Sequence, residues 1–192
     1  MTLAPGKGWP LFALVAVAAA AIDLVTKEAI FQRLGMPGLA PAIVLVPRVL
    51  VLETNLNEGA LFGMGQGMGL VFAAISVAAI AGIIVLVSRP ATRRDPWLLV
   101  ALGLIVGGIL GNLYDRLGLP GLRWHAPLAR EGQPVLAVRD WIHFMLPGVI
   151  DWPIFNLADS WLVIGAAMLV VTSFLSAGQA PPDAPSPESG RP

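Results

Sequence analysis

FNLADSWLVIGAAMLVVTSFL, residues 155–175, places a carboxylate, Asp159, at the mouth of a long apolar run, with an amide, Asn156, three residues ahead of it. Burying an ionisable group is expensive, so its position asks for a reason. Composition puts the run in a bilayer. Of 192 residues, 56% are hydrophobic and 12% charged, and the mean hydropathy is +0.77. A soluble domain carries about twice that share of charge. The formal net charge is zero, so no basic surface points to nucleic acid. There is no cysteine, which excludes disulfides, thiolate metal sites and a cysteine nucleophile. The two histidines, His125 and His143, are too few for most metal sites and read as ordinary loop residues.

Four apolar stretches, at about residues 9–30, 67–87, 97–117 and 154–174, each approach the roughly 20 residues a helix needs to cross the hydrocarbon core. Trp9, Trp97 and Trp161 lie near span ends, where indole favours the interface. The connection SRPATRRDP (88–96) holds Arg89, Arg93 and Arg94 against one acid, Asp95, and reads as cytoplasmic, with both termini on that side. The charge rule is not cleanly obeyed, because the other connections carry Arg33, Arg48, Arg123, Arg130 and Arg139. Lys7, the first apolar run and AAAA (18–21) also resemble a secretory signal. That run, however, continues through IDLVTKEAI in helical register without a polar stretch.

The two outer connections have more content than simple loops. AIVLVPRVLVLETN (42–55) is β-branched and apolar and predicts strand, with Pro47 at an edge or bulge. Residues 118–153 form a second outer element with Trp124, Trp141 and Trp152. The expected fold is a membrane all-α protein. It has four transmembrane helices, a small β-rich extracytoplasmic cap built from residues 31–64, and a further outer element at 118–153. Residues 1–176 form one polytopic domain, and the Pro/Ser/Gly-rich tail, 177–192, is expected to be disordered.

Spans one and three end on the side where spans two and four begin, and that boundary collects the polar residues. Asp23 and Lys27 close span one, and Asn57 and Gly59 approach span two. Asn112, Asp115 and Arg116 close span three, and Asn156 and Asp159 open span four. Ionisable groups at such depth face a bundle interior or a wet cavity and suggest a site. Bland readings stand beside this one. Asp23 and Lys27, at i and i+4, fit a structural ion pair as well as a substrate role. Arg116 fits a snorkelling arginine, and Asn156 fits a helix cap. Gly103, Gly107 and Gly111 read as a close helix contact. Asp159 is harder to dismiss. Two carboxylates sharing a site can hold one proton between them, one serving as base on water and the other as acid toward a carbonyl. On physical grounds its partner is Asp115, Asp140 or Asp151. HExxH, GxSxG and phosphate-loop motifs are absent.

In order along the chain stand DLVTK (23–27), NEGALF (57–62), GGILGNLYDRL (107–117), VRDWI (138–142) and FNLAD (155–159). Together they resemble the bacterial lipoprotein signal peptidases, the signal peptidase II family of aspartyl peptidases. GNLYDR followed by FNLAD is the specific part. The resemblance implies a membrane aspartyl endopeptidase of the bacterial cytoplasmic membrane, without metal or organic cofactor, its site at the extracytoplasmic face. Its substrates would be prolipoproteins carrying diacylglyceryl on the lipobox cysteine, cut immediately before that cysteine. Membrane lipid is the other expected partner, nucleic acid is not expected, and a monomer is the expected working form. The matching motifs make Asp140 and Asp159 the catalytic pair. Asp23, Lys27, Asn57, Gly59, Asn112, Arg116, Asn156 and Ala158 become supporting positions. Two departures stand out. Residues 118–137 look longer than the family's usual connection, and Trp141 replaces a more usual phenylalanine. The insert is expected to shape the cap and restrict which precursors enter. The competing classes are a non-catalytic membrane helper and a small ion- or proton-coupled transport subunit. The latter would place its acids nearer the midplane.

Overall fold

The computed structural model describes residues 8–59, 65, 67–125 and 129–177. Four helices are long and apolar enough to cross a membrane: α1 (Gly8–Leu34), α2 (Gly69–Ser88), α3 (Pro96–Arg116) and α4 (Leu157–Ala177). Local chemistry sets their ends. Gly35, at φ 74°, closes α1 in the left-handed conformation that an L side chain resists. Asp95 caps α3, its Oδ1 accepting from Trp97 N at 3.0 Å and Leu98 N at 3.1 Å, with Pro96 in the first turn. Pro90 follows the end of α2, where it cannot continue the ladder.

Helix α3 is the spine of the bundle and packs on the other three. The glycine stripe expected to be a close contact is one. A Cβ on Gly103 would meet Val15 Cβ at 2.9 Å, one on Gly107 Ala19 Cβ at 2.5 Å, and one on Gly111 Asp23 Oδ2 at 2.2 Å. Val15, Ala19 and Asp23 follow the same four-residue spacing on α1, so the two helices interlock over two turns. On the opposite flank a Cβ on Gly108 would lie 2.5 Å from the Ala158 carbonyl oxygen of α4. Lipid is as apolar as leucine, so such close backbone packing, rather than hydrophobic burial, holds the spans together. The outward faces carry Leu14, Val17, Val25, Val163 and Phe174, all exposed on the protein and suited to acyl chains.

The four strands β1 (Ile43–Val46), β2 (Leu50–Asn57), β3 (Val138–Leu146) and β4 (Ile150–Asp151) form one antiparallel sheet in that order. It lies at the end of the bundle where α1 and α3 finish. The N-terminus of α1 and the 88–96 connection share the opposite end, where Gly8 abuts Arg93.

Four sequence expectations are corrected. The 31–64 and 118–153 elements are not separate, because β3 pairs along β2 from Leu50↔Phe144 to Asn57↔Val138. Pro47 lies in the β1–β2 turn, before Arg48 at φ 63°, and the irregular register falls at Val44/Val46. The fourth span starts at Leu157 rather than 154, since Phe155 is occupied in pairing with Ile142. His143 is a strand residue, not a loop residue. Residues 178–192, including nearly all of the expected tail, and the ALF of NEGALF lie outside the described residues.

Candidate active site

Phe155 brings Asp140 and Asp159 to one asparagine. Its carbonyl accepts Trp141 N at 3.0 Å and Ile142 N at 2.8 Å, and its own N–H donates to the Ile142 carbonyl at 3.0 Å. The FNLAD stretch is thereby laid along β3, and Asn156 falls beside Asp140. Asn156 then does two jobs. It caps α4 reciprocally with Asp159: Asp159 N donates to Asn156 Oδ1 at 3.0 Å, and Asn156 N donates to Asp159 Oδ2 at 3.2 Å. Its amide Nδ2 reaches out to Asp140 Oδ1 at 2.6 Å and Asn112 Oδ1 at 3.2 Å. Asn156 is therefore both the cap of α4 and a hydrogen-bond partner of Asp140.

Asn112, on the last turns of α3, completes the bridge. Its Nδ2 donates to Asp159 Oδ1 at 2.9 Å, and its Oδ1 accepts Lys27 Nζ at 2.9 Å. Both oxygens of Asp159 thus accept hydrogen bonds. Asp140 differs, because its buried Oδ2 has no hydrogen-bond partner among the described protein groups. Burial first, and the neighbouring Asp159 carboxylate second, push Asp140 from the ordinary 3.8 up to about 7. The pair therefore holds a proton near neutral pH, and Asp140 Oδ2 is the oxygen with room for it.

Below this pair sits a buried ionic cluster. Lys27 Nζ lies 2.7 Å from Asp23 Oδ2 and 3.0 Å from Asp115 Oδ2, with all three side chains fully buried. Asp23 Oδ1 accepts Ala158 N at 2.9 Å, tying α1 to the first turn of α4. Such a cluster tolerates its desolvation only because each charge is paired and hydrogen-bonded. Asp23, Lys27, Asn112, Asn156, Ala158, Asp140 and Asp159 thus form one connected network.

Asn57, Gly59 and Arg116 form a second group at its edge. Gly59 N donates to Asn57 Oδ1 at 3.0 Å, and Arg116 Nη2 donates to the Gly59 carbonyl at 3.4 Å. The Arg116 guanidinium also lies 5.4 Å from the Phe72 ring centroid. Asp151 is brought elsewhere: its Oδ1 lies 2.6 Å from His143 Nε2 on the outer sheet, and Glu53 holds the other ring nitrogen. Sequence reasoning missed Arg139, which reads along the chain only as one of the arginines that break the charge rule. It is buried and paired, with Nε 2.9 Å from Oδ1 of Asp115, an acid that the sequence offers as a partner for Asp159. Two charged residues, Arg139 and Asp140, between the apolar Val138 and Trp141 in a strand pattern are the available signal. Among the described residues, no three of His, Cys, Asp and Glu are grouped to hold a metal ion.

Known proteins are similar to this chain along most of its length. The family described as signal peptidase (SPase) II matches residues 15–175. A lipoprotein signal peptidase of Rhodopirellula baltica is 47% identical over 88% of this chain and 74% of its own. That of Chlorobaculum tepidum is 38% identical over 84% and 92%, and that of Bacillus subtilis 30% over 88% and 96%. A bacterial membrane enzyme solved in meso at 2.3 Å shares the fold, with a TM-score of 0.73 at 24% identity, covering 96% of this chain and 99% of that one. The helper and transport-subunit readings find no support among these relatives. On a match that runs from residue 15, within α1, to residue 175, in the last turn of α4, the chain belongs to the signal peptidase II family.

Proposed function

We propose that this protein is a membrane aspartyl endopeptidase that removes the signal peptide from diacylglyceryl-modified prolipoproteins, cutting before the lipidated cysteine. The observation that carries the reading is the convergence of Asp140 and Asp159 on one asparagine at the head of an apolar four-helix bundle, with Asp140 held at about 7. The family's relatives, named lipoprotein signal peptidases, supply the substrate class.

The chemistry follows from the hydrogen bonds. Asp159, with both oxygens already accepting donors, is the carboxylate that takes a proton from water. The hydroxide adds to the scissile carbonyl carbon while Asp140 Oδ2–H gives its proton to the carbonyl oxygen. Collapse of the tetrahedral intermediate re-forms the carbonyl and breaks the C–N bond. The departing amine takes the proton Asp159 gained, and the intermediate's hydroxyl returns one to Asp140. Asn112 and Asn156 fix the carboxylates, and the Asp23–Lys27 pair fixes Asn112 and the head of α4. Asn57, Gly59 and Arg116 line the cap-side approach and position the substrate backbone. The sheet faces the extracytoplasmic side of the bacterial cytoplasmic membrane, consistent with the arginines at 89, 93 and 94 at the opposite end. That depth lets acyl chains stay in lipid while water reaches the bond. The network is complete within one chain, so a monomer suffices.

The test is cleavage of a purified prolipoprotein with and without its diacylglyceryl group, with the product termini read by mass spectrometry. Release of a signal peptide ending just before the cysteine, from the lipidated precursor alone, is expected. Cutting elsewhere, or equal cutting of both precursors, refutes the assignment.

A further inference from the structure

Arg139 immediately precedes Asp140 on β3 and is the largest of the essentially fully buried side chains, at 2% exposure. A guanidinium is buried at a heavy cost unless it is well paired. Here the partners come from two helices. Arg139 Nε donates to Asp115 Oδ1 at 2.9 Å, and the Arg139 backbone N–H donates to Asp115 Oδ2 at 3.1 Å. One carboxylate of α3 therefore grips both the main chain and the side chain of the residue next to Asp140. The other end of the fork, Nη1, reaches Glu28 Oε2 of α1 at 2.9 Å, and the guanidinium lies 5.8 Å from the Phe31 ring centroid. Asp23, Lys27, Asp115 and Arg139 together make two negative and two positive buried charges.

Charge balance alone does not call for an arginine, because any buried cation beside Asp115 would supply it. The geometry does. Asn112 and Asp115 are neighbours on one face of α3. Asn112 holds Asp159 through its amide, and Asp115 holds the residue before Asp140. The last turn of α3 is therefore the common mount for both carboxylates, and only a fork that spans Asp115 and Glu28 pins β3 to α3 and α1 at once. We propose that Arg139 is a positioning residue for peptide cleavage: by clamping β3 onto Asp115 and Glu28 it sets how close Asp140 sits to Asp159 and how deeply it is enclosed. This rests on the peptidase reading above. The charged groups acting on Asp140 are Asp159 on α4, Lys27 on α1 and Arg116 on α3.

The experiment compares wild type with Arg139→Lys and Glu28→Gln as full-length protein in detergent, each checked for cooperative unfolding. Arg139→Lys keeps the charge and one contact to Asp115 but cannot span to Glu28. Its kcat is expected to fall on the order of 10- to 100-fold, as misplacement of a catalytic group does. KM should stay within about twofold, and the alkaline limb of the pH profile should move toward acid as Asp140 loses its enclosure. Glu28 is half-exposed, so Glu28→Gln removes only the outer leg and should lower kcat by about two- to fivefold in the same direction. A substrate-free readout accompanies these. The pH at which the C=O band of protonated Asp140 disappears in the infrared, assigned by its loss in Asp140→Asn, should drop in both variants. Folded Arg139→Lys with wild-type kcat and an unmoved limb overturns the proposal. If Arg139→Lys does not fold, Glu28→Gln decides, and an unchanged kcat and infrared midpoint there overturn it equally. Wild type that leaves the lipidated precursor intact refutes the peptidase reading, while the infrared midpoints still decide whether Arg139 sets the enclosure of Asp140.

Discussion

Replacing Asp140 with asparagine keeps the side chain's size and its acceptor for Asn156 Nδ2 while removing a titration. Asp140 is pushed by burial, and then by Asp159, from 3.8 up to about 7. The folded chain therefore keeps until about neutrality a proton that the unfolded chain releases near pH 4. A folded value above the unfolded one gives stability that is fully present below pH 3.8 and is lost as pH rises through about 7. At about 1.36 kcal/mol for each tenfold step, the loss is about 4 kcal/mol. Asp140→Asn has no such slope. Its stability relative to wild type should improve by about 4 kcal/mol between about pH 4 and pH 8, or roughly 10 °C in Tm. Thermal and denaturant unfolding in detergent micelles at several pH values measures this. Differencing across pH cancels the fixed effect of the amide. Cleavage should vanish in the same variant, the pattern expected of a site residue that also makes the fold less stable at neutral pH. A stability difference that stays flat within about 1 kcal/mol refutes the burial argument and the protonated role given to Asp140.

Three further outcomes are expected. Gly111→Ala drives a Cβ to 2.2 Å from Asp23 Oδ2, and should cost about 3 kcal/mol and most of the cleavage. The companion Gly82→Ala meets nothing within 4 Å and should leave both intact, as Tm and turnover will show. His143 is held between Asp151 and Glu53, whose hydrogen bonds outweigh the effect of its own burial and raise it above 6.5. Its contribution to the sheet is therefore full below 6.5 and fades as pH rises through the folded value. Hydrogen-exchange protection of β3 and β4 should step down with rising pH in wild type and show no step in His143→Gln. Deleting 123–134 removes an arm in which Arg123 pairs with Pro134, and Arg130 stacks on Trp124 and bridges to Glu58. Precursor selection should change while the cleavage position stays the same, and unchanged processing of every precursor tested counts against a gating role for the arm.

What could be read along the chain was what local pattern carries. Four spans follow from length and hydropathy, because a bilayer imposes both on each helix separately. The glycine spacing at 103, 107 and 111 gave the α1–α3 contact because helical period is local. The convergence of polar residues followed from counting spans. The single sheet did not, because β2 and β3 lie more than eighty positions apart and neither stretch specifies its partner. A separate tertiary bridge, Phe155 on Ile142, moved the start of α4. Arg139 was illegible for the same reason: its partners, Glu28 and Asp115, sit on helices that only the fold brings to β3. Among Asp115, Asp140 and Asp151 the residues alone gave no choice, and the resemblance of VRDWI made it. The geometry now gives each a distinct setting, with Asp140 on Asn156, Asp115 in the ionic cluster and Asp151 on His143.

Cleavage by Asp140 and Asp159 acting as a pair is the proposal on which the rest depends. The most direct measurement is turnover of a diacylglyceryl prolipoprotein by the purified protein and its Asp140→Asn, Asp159→Asn, Asp115→Asn and Asp151→Asn variants, each confirmed as folded. No detectable cleavage is expected with the first two, and a partial loss with Asp115→Asn, through the released Arg139 clamp. Wild-type turnover is expected with Asp151→Asn. Wild-type turnover in folded Asp140→Asn, or a dead but folded Asp151→Asn, would contradict it.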